Sequence, residues 1–469
     1  MGDRTRIGLL SFSDGRQRVH EGLRAGIEAH QAKIKAALEA MGAEVVVAEE
    51  VIWRPRMAVA AAKAMRAADV SAAVFNIPVF AFPNLSVLAG DVLQAPLAIL
   101  SPGEAKLPGM GGLLAAGGAL EQAGMFQRRI WGPLDDPAVL RRLAAFVRAA
   151  GARHALRGQV YGQIGGRSIG MMTGVASSPA DWHRTFGVDM DHVDQSEILR
   201  QAEAVGPAER ERIVAWLEGN LGAVRYEQGS KLTRESLKYQ AACAAAVKKI
   251  IDDRQFDFVG IKCHYDMSEY YCTQCLSAAL LPSSLDWDGP HRPTVCACEA
   301  DGDGAMTMQI LQLLSQRPAL FMDLRHYDTQ RRRWTLCNCG GQAVYYSRRS
   351  ANEADNLAAA ELVPVIAKYG GVGAHVRYLG SEGPMTFARL MHDADGMALL
   401  AFTGRAMPAE MSELEASCPQ WPHIFAQFDA EPNDLLNKLH ANHVHAVEGE
   451  WMDELAEFAA MAGLRLIQL

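Results

Sequence analysis

Residues 282–328 read PSSLDWDGPHRPTVCACEADGDGAMTMQILQLLSQRPALFMDLRHYD, and two carboxylates in this stretch each follow an apolar run. Glu299 ends a β-branched apolar run, and Asp323 comes directly after the apolar residues 319–322. A short apolar run is typical of a buried strand, and the segment between the two runs has a helical pattern. The stretch therefore predicts a strand–helix–strand unit of an α/β fold, with both carboxylates at strand ends, where such sheets place their binding sites.

A histidine-rich segment near the C-terminus offers a third group for the same site. It contains Asn442 and His443, with His440 and His445 as further candidates. Two carboxylates and one imidazole suit a divalent cation, and two carboxylates can also transfer protons. Taken singly, each carboxylate could instead face a helix dipole or belong to a strand-end turn, and the histidines could be ordinary core or surface residues. The residues by themselves leave these interpretations open.

Length, charge and cysteine content limit the class of protein. A chain of 469 residues is too long for one core and predicts about three domains. The apolar content of 49% is enough for packed cores, and the net charge of −8 argues against a nucleic-acid-binding surface. The sequence shows neither a long apolar run nor a basic leader, so we expect no membrane span and no signal peptide. With nine cysteines and no leader, we expect reduced thiols in a cytoplasmic protein.

Strand and helix patterns alternate along the first part of the chain. Residues 7–12 predict a strand, residues 19–41 a helix and residues 43–47 the next strand. This rhythm indicates a parallel sheet with helices on its faces. The last part has more turns and short β-prone runs such as residues 343–346, and residues 452–463 predict a closing helix. The chain thus changes from α/β to β-rich along its length.

The predicted fold class is α/β, with two Rossmann-like α/β domains followed by a β-rich C-terminal domain. The N-terminal α/β domain takes residues 1–155, the central α/β domain residues 156–317 and the β-rich domain residues 318–469. In this division the central domain carries Glu299, and the C-terminal domain carries Asp323 and His443.

Short motifs spread over nearly the whole chain carry a resemblance to a known family. They lie at residues 7–16, 165–171, 283–299, 323–327 and 441–443. The most specific is SSLDWDG at residues 283–289, followed by Arg292, Pro293 and Glu299. With these motifs in this order, the chain resembles the L-fucose isomerase family of ketol isomerases, as a shortened member. The resemblance implies two α/β domains, a β-rich C-terminal domain and the metal-dependent interconversion of an aldose and a ketose through an enediol.

The resemblance also implies roles for individual residues. Glu299, Asp323 and His443 would bind a divalent metal, usually Mn²⁺, with Co²⁺ or Mg²⁺ as alternatives that the oxygen-rich ligand set also suits. Glu299 and Asp323 would double as acid and base. Family members are hexamers with sites at subunit contacts, so we expect a homo-oligomer. The expected substrate-binding residues are Arg16, which would reach a neighbouring subunit's site, and Asn442, Lys262, His264 and Phe80.

The sequence leaves the substrate open. A neutral sugar of the L-fucose/D-arabinose type is the first expectation. An anionic sugar such as sulfoquinovose or a sugar phosphate is the alternative, because Lys262, His264, Arg348, Arg349 and Arg377 are candidate partners for a charged tail. A non-catalytic sugar-binding protein on the same scaffold is a further alternative.

Cysteine pairs suggest a competing thiolate or redox function. They are Cys272 with Cys275, Cys296 with Cys298, and Cys337 with Cys339. Such spacings occur in zinc sites, but buried free cysteines also act as small apolar side chains. We take the second interpretation as the expectation.

Overall fold

The computed structural model describes residues 5–172, 178–227 and 229–469. The chain forms two compact units. The first takes the chain up to residue 155 together with residues 453–463, and the second takes residues 156–452 with residues 464–469. The predicted division into three domains, with a boundary at residue 317, stays a prediction.

A parallel sheet with strand order β2-β1-β3-β4-β5 forms the centre of the first unit. Its strands are β1 (Arg6–Ser11), β2 (Glu44–Val47), β3 (Ala72–Asn76), β4 (Leu97–Ser101) and β5 (Gln127–Trp131). The helices of this unit are α1 (Gln17–Ala40), α2 (Pro55–Ala67), α3 (Pro83–Leu93), α4 (Met110–Gln122), α5 (Pro137–Leu156) and α16 (Met452–Ala462). Strand β3 is buried along its whole length, because helices cover both faces of an all-parallel sheet. The predicted α/β class is confirmed here.

The predicted C-terminal helix is present as α16, but nearly all of it belongs to the first unit. Its acidic residues pair with arginines of that unit. Arg128 Nε lies 2.7 Å from a carboxylate oxygen of Glu457, and Arg148 Nη1 lies 2.9 Å from Glu454. These contacts tie α16 to β5 and α5.

The central part of the second unit is a smaller parallel sheet with strand order β12-β9-β6-β7. The strands of this part are β6 (Val160–Ile164), β7 (Asp189–Val193), β8 (Ala223–Val224), β9 (Phe258–Ile261), β10 (Leu285–Asp286), β11 (Gly289–Pro290) and β12 (Cys296–Cys298). Its helices are α6 (Pro179–Phe186), α7 (Ser196–Ala204), α8 (Pro207–Asn220), α9 (Arg234–Arg254), α10 (Asp266–Tyr270), α11 (Cys275–Leu280) and α12 (Gly302–Ser315). The predicted strand–helix–strand unit is present, with α12 between β12 and the first strand of the next sheet.

The remainder of the second unit is β-rich, as predicted. Its strands are β13 (Leu320–Asp328), β14 (Arg333–Cys337), β15 (Glu361–Pro364), β16 (Ala374–Arg377), β17 (Gly383–Asp393), β18 (Gly396–Ala406), β19 (His423–Phe428), β20 (His443–Glu448) and β21 (Arg465–Gln468). Short helices connect them: α13 (Glu353–Ala358), α14 (Met411–Glu415) and α15 (Pro432–Lys438). The large sheet has the order β17-β20-β13-β14-β19-β18-β21, and β17 also pairs with β18. Because of this last pairing the sheet closes on itself as a barrel, which removes two exposed edges.

One local prediction is wrong. Residues 343–346 were expected to extend, whereas Val344–Ser347 form a 3₁₀ helix. Tyr345 and Tyr346 are buried there in an edge-to-face pair, and the Tyr346 hydroxyl donates to the Pro318 carbonyl at 2.7 Å. Packing of the two rings thus overrides the β-propensity of aromatic residues, which depends on context.

In residues 5–172, 178–227 and 229–469, no helix combines the length and apolar character needed to cross a bilayer.

Candidate active site

Glu299 lies in a strained turn between β12 and α12. Strand β12 pairs in parallel with β9, and Glu299 follows its last residue. Glu299 and Ala300 have φ angles of 59° and 52°, in the left-handed region that residues other than glycine rarely adopt. Strain of this kind persists where the surrounding structure enforces it, often at functional sites. The turn holds the Glu299 side chain, which is 9% exposed, at the carboxyl end of the central sheet.

Asp301 follows in the same turn and begins α12. Its side chain accepts a hydrogen bond from the Gly304 backbone N–H at 2.8 Å and thereby caps the helix. The contact is close enough to require glycine, because a Cβ on Gly304 would lie 2.8 Å from Asp301 Oδ2 and from His445 Cε1. Asp301 is fully buried. No sequence pattern marks Asp301 as a site residue.

Asp323 lies in the middle of β13 rather than at a strand end. It pairs with Cys337 of β14 on one side and with His443 of β20 on the other. The prediction that the strand ends at Asp323 is therefore wrong, because β13 continues to Asp328. Pairing with β14 continues to Asp328 past an irregularity between Leu324 and His326, because β14 supplies partners beyond that point. The cross-strand pairing places Asp323 and His443 side by side.

His443 joins the two predicted carboxylates. Its Nε2 lies 3.5 Å from Glu299 Oε2 and 3.7 Å from Asp323 Oδ1. Its other nitrogen, Nδ1, lies 2.7 Å from Asp301 Oδ2. Since an ionised carboxylate only accepts hydrogen bonds, Nδ1 carries a proton and Nε2 is directed between Glu299 and Asp323. Adjacent ligands of an octahedral ion at about 2.1 Å lie about 3 Å apart, so both carboxylates would have to move toward His443 Nε2 to share one ion with it.

Burial and neighbouring charges shift the pKa values of these groups. Burial lowers the pKa of His443, but hydrogen bonds to Asp301 and Glu299 outweigh it and raise that pKa to about 9. Burial raises the pKa of Asp323, and the Glu299 charge adds to this effect. Burial also raises the pKa of Asp301, but the charge of Arg389 and the hydrogen bond from His443 bring it well below its usual value. Asp301 is thus an ionised acceptor for the protonated Nδ1 of His443.

A buried layer of charged and polar groups supports Asp301. Arg389 Nη2 donates to Asp301 Oδ1 at 3.0 Å, and Arg389 Nη1 donates to His445 Nε2 at 2.9 Å. Arg389 and His445 are both 0% exposed. His445 therefore lies behind the site as a neighbour of Arg389, whereas His440 is exposed.

His264 and a thiol border Glu299 on its other side. His264 Nε2 lies 3.8 Å from Glu299 Oε1 and 2.9 Å from the Tyr369 hydroxyl. Cys339 Sγ lies 4.0 Å from Glu299 Oε1 and 3.5 Å from Cys298 Sγ. The ligand atoms of His264, Glu299 and Cys339 all lie within 4.8 Å of one another. Glu299 thus faces His443 at one carboxylate oxygen and His264 and Cys339 at the other.

Comparison with known proteins agrees with the resemblance in the sequence. The model of the L-fucose isomerase first N-terminal domain matches residues 4–158, and that of the L-fucose isomerase C-terminal domain matches residues 336–469. The chain belongs to the L-fucose isomerase family. His443 and Asn442 fall inside the second matched range, and Glu299 and Asp323 lie between the two.

Curated members of the family are similar over part of their length. The L-fucose isomerase of Citrobacter koseri is 26% identical over 368 residues, which cover 69% of this chain and 61% of the relative. Those of Salmonella paratyphi B and Salmonella typhimurium match with the same identity and coverage. The chain therefore matches about three fifths of the length of these relatives. A periplasmic solute binding protein from Actinobacillus succinogenes with bound D-allose also matches, but its TM-score of 0.17 is too low to carry an argument.

The other predicted substrate residues lie in separate places. Asn442 donates to Asp323 Oδ1 at 3.0 Å and so contacts the site directly. Lys262 directly follows β9 and donates to Asp266 at 2.6 Å. Arg16 and Phe80 belong to the first unit, where Arg16 pairs with Asp14 at 2.7 Å and Phe80 is 49% exposed. A role of Arg16 and Phe80 in binding the sugar stays a prediction.

Proposed function

We propose that this protein is an aldose–ketose isomerase that requires a divalent metal and acts on a monosaccharide through an enediol. Membership of the L-fucose isomerase family supports the reaction class. The observation that carries the proposal is the position of His443, whose Nε2 faces Glu299 and Asp323 while Asp301 holds its Nδ1. A carboxylate behind a histidine is the usual support of a metal-binding imidazole.

The donor set fits a hard divalent cation. Glu299 and Asp323 would each supply a carboxylate oxygen and His443 an imidazole nitrogen, which suits Mn²⁺ first, with Co²⁺ or Mg²⁺ as alternatives. When bound, such an ion polarises the sugar carbonyl and stabilises the negative charge that develops on the enediol oxygens. It would also offset the repulsion between the two carboxylates, which adds to the effect of burial in raising the pKa of Asp323.

The protein's own groups would move the protons. In an aldose–ketose exchange one group removes a proton from carbon, and a second group moves the hydroxyl proton. Glu299 and Asp323 are the pair that lies on either side of His443 Nε2. Asn442 holds Asp323 Oδ1 in place through a hydrogen bond of 3.0 Å. This arrangement supports Glu299 and Asp323 as acid and base as well as ligands.

Within this proposal a neutral sugar of the L-fucose/D-arabinose type is favoured. Three of the cations predicted for a charged tail lie beside carboxylates: Lys262 binds Asp266, Arg377 Nη2 lies 2.6 Å from Glu361, and Arg349 Nη1 lies 3.9 Å from Glu448. His264 borders Glu299, but burial lowers its pKa, so the neutral imidazole prevails at neutral pH. An anionic sugar would therefore have to compete with these carboxylates for Lys262 and Arg377. We include a homo-oligomeric assembly, with Arg16 reaching a neighbouring site, in the proposal.

A sugar panel tests the proposal. Metal-stripped protein is incubated with Mn²⁺ and assayed for ketose formation from L-fucose, D-arabinose, sulfoquinovose and a sugar phosphate. We expect turnover of a neutral sugar that depends on Mn²⁺. Turnover of sulfoquinovose or the phosphate alone would favour the anionic alternative. Bound metal without turnover of any sugar would contradict the isomerase proposal and favour a sugar-binding protein.

Removing the Asp301 charge tests its support of His443. We expect Asp301→Asn to weaken Mn²⁺ binding by about 10–100-fold, because the amide no longer fixes the His443 tautomer. To measure the affinity, the protein is titrated with Mn²⁺ and the concentration of free Mn²⁺ is determined by electron paramagnetic resonance. Asp303→Asn is the matched control, since Asp303 is also buried at the start of α12 but contacts His392 at 3.0 Å. Equal affinity in the Asp301 variant and the wild type would refute the role of Asp301.

A further inference from the structure

A second cluster of possible ligands lies at one end of the barrel sheet. Cys337 is the last residue of β14 and His423 the first of β19, and the two are direct cross-strand partners. Cys418 comes from the loop between α14 and β19. The ligand atoms of these three residues all lie within 4.8 Å of one another. None of the three belongs to the set formed by Glu299, Asp323 and His443.

His423 is held in the state that a metal ligand needs. Its Nδ1 lies 2.9 Å from the Trp421 carbonyl, which can only accept, so Nδ1 carries the proton. The lone pair is therefore on Nε2, where the Ser417 hydroxyl donates at 3.1 Å. Burial lowers the pKa of His423, which keeps the imidazole neutral. A backbone carbonyl that fixes the tautomer in this way is typical of metal-binding histidines.

Cys418, which is partly exposed, differs from the buried cysteine Cys296. A hydrogen bond from Cys337 and the nearby charge of Arg325 lower the pKa of Cys418 to about 6. Burial alone raises the pKa of Cys296 to about 12. Arg325 Nη2 lies 3.9 Å from Cys418 Sγ, and Arg325 is exposed. Two ligand atoms of the cluster thus accept hydrogen bonds from exposed side chains: Cys418 Sγ from Arg325, and His423 Nε2 from Ser417. Rotation of these two side chains toward solvent would free both ligand atoms.

We propose that Cys337, Cys418 and His423 form a binding site for a thiophilic divalent cation such as Zn²⁺. Two thiolates and one neutral imidazole are a soft ligand set, unlike the oxygen-rich set of the sugar site, so the two sites select different ions. On binding, Cys337 and Cys418 each bond to the ion through Sγ as thiolates, and any proton that a thiol carries is released to solvent. Arg325 moves out to solvent, and water completes the tetrahedral coordination.

Cobalt is the probe, because Co²⁺ bound by thiolates gives a charge-transfer absorption in the near ultraviolet and carboxylate-bound Co²⁺ does not. We expect the metal-stripped wild type to show this band on titration with Co²⁺, and equimolar Zn²⁺ to abolish it. Cys418→Ala should weaken Co²⁺ binding at this site by at least about 100-fold, because loss of a direct ligand exceeds the usual effect of an outer partner. Cys337→Ala should weaken Co²⁺ binding to a similar extent. Because Cys418 is partly exposed and Cys337 is buried, the Cys418→Ala variant is less prone to misfolding.

Two controls locate the band. Cys243→Ala removes a buried thiol of α9 that lies outside the cluster, and it should leave the band unchanged. Cys339→Ala tests the other possible source, the group of His264, Glu299 and Cys339. A band that survives in Cys418→Ala, disappears in Cys339→Ala, or is absent from the wild type would overturn the proposal. Because absorption rather than turnover is measured, the result does not depend on the proposed isomerase activity.

Discussion

Replacing Glu299 with glutamine is expected to lower the turnover number of sugar isomerisation by at least about 10³-fold. The amide keeps the shape of the side chain but cannot accept a proton from carbon, and it is a weaker ligand for a divalent ion. Its Oε2 would no longer present a charge at 3.5 Å from His443 Nε2. Steady-state kinetics on the best sugar of the panel, at saturating Mn²⁺, measures the effect.

The matched control is Glu415→Gln, which makes the same chemical change at an exposed position of α14 in the same unit. We expect its turnover number to equal that of the wild type within about twofold, as for a surface substitution away from the site. Circular dichroism of both variants should match the wild type. A Glu299→Gln variant that keeps more than a tenth of wild-type turnover would rule out Glu299 as acid or base.

Replacing Arg389 with methionine is expected to lower the free energy of unfolding by about 3 kcal/mol. Arg389 is fully buried and its guanidinium is the main cation facing Asp301, so its removal leaves a buried carboxylate with His443 as its remaining charged partner. The loss should come from the uncompensated charge rather than from volume, because methionine fills much of the space. Urea unfolding of the metal-free protein, followed by tryptophan fluorescence, measures the change.

Two further variants separate charge from packing. Arg405→Met removes an exposed arginine from the neighbouring strand β18 and should change stability by less than about 0.5 kcal/mol. The double variant Arg389→Met with Asp301→Leu removes both buried charges and should recover much of the lost stability, since apolar replacements of a buried ion pair are often neutral. If Arg389→Met unfolds at the same urea concentration as the wild type, the pair does not stabilise the site as described.

Much of the fold and the centre of the site could be predicted from the sequence. Each strand and helix has its own local periodicity, so these elements can be predicted from the sequence. Their alternation then indicates parallel sheets. Glu299 and Asp323 follow apolar runs, and the family motifs add His443. The structure brings these three residues together. Each of these signals lies within a few residues of the group that it identifies, so no knowledge of the tertiary structure is needed to find them.

The supporting groups could not be predicted, because their signals are ambiguous locally. Asp301 does cap α12, and this ordinary role hides its contact with His443, which lies 142 positions away in the chain. Arg389 lies in a strand, where an arginine usually indicates an exposed position, yet closure of the barrel buries it against Asp301. Cys418 has no neighbouring cysteine to mark it, and only the pairing of β14 with β19 brings His423 beside Cys337.

The most direct test of the proposed metal site is a titration of metal-stripped protein with Mn²⁺, in which ketose formation and bound metal are measured in the same samples. Wild type and Asp323→Asn are compared, because Asp323 is both a proposed ligand and a proposed proton carrier. We predict that wild-type turnover rises with bound Mn²⁺ and saturates at one ion per chain, while the variant stays inactive at every concentration. Turnover that survives removal of the metal, or an Asp323→Asn variant as active as the wild type, would contradict the account.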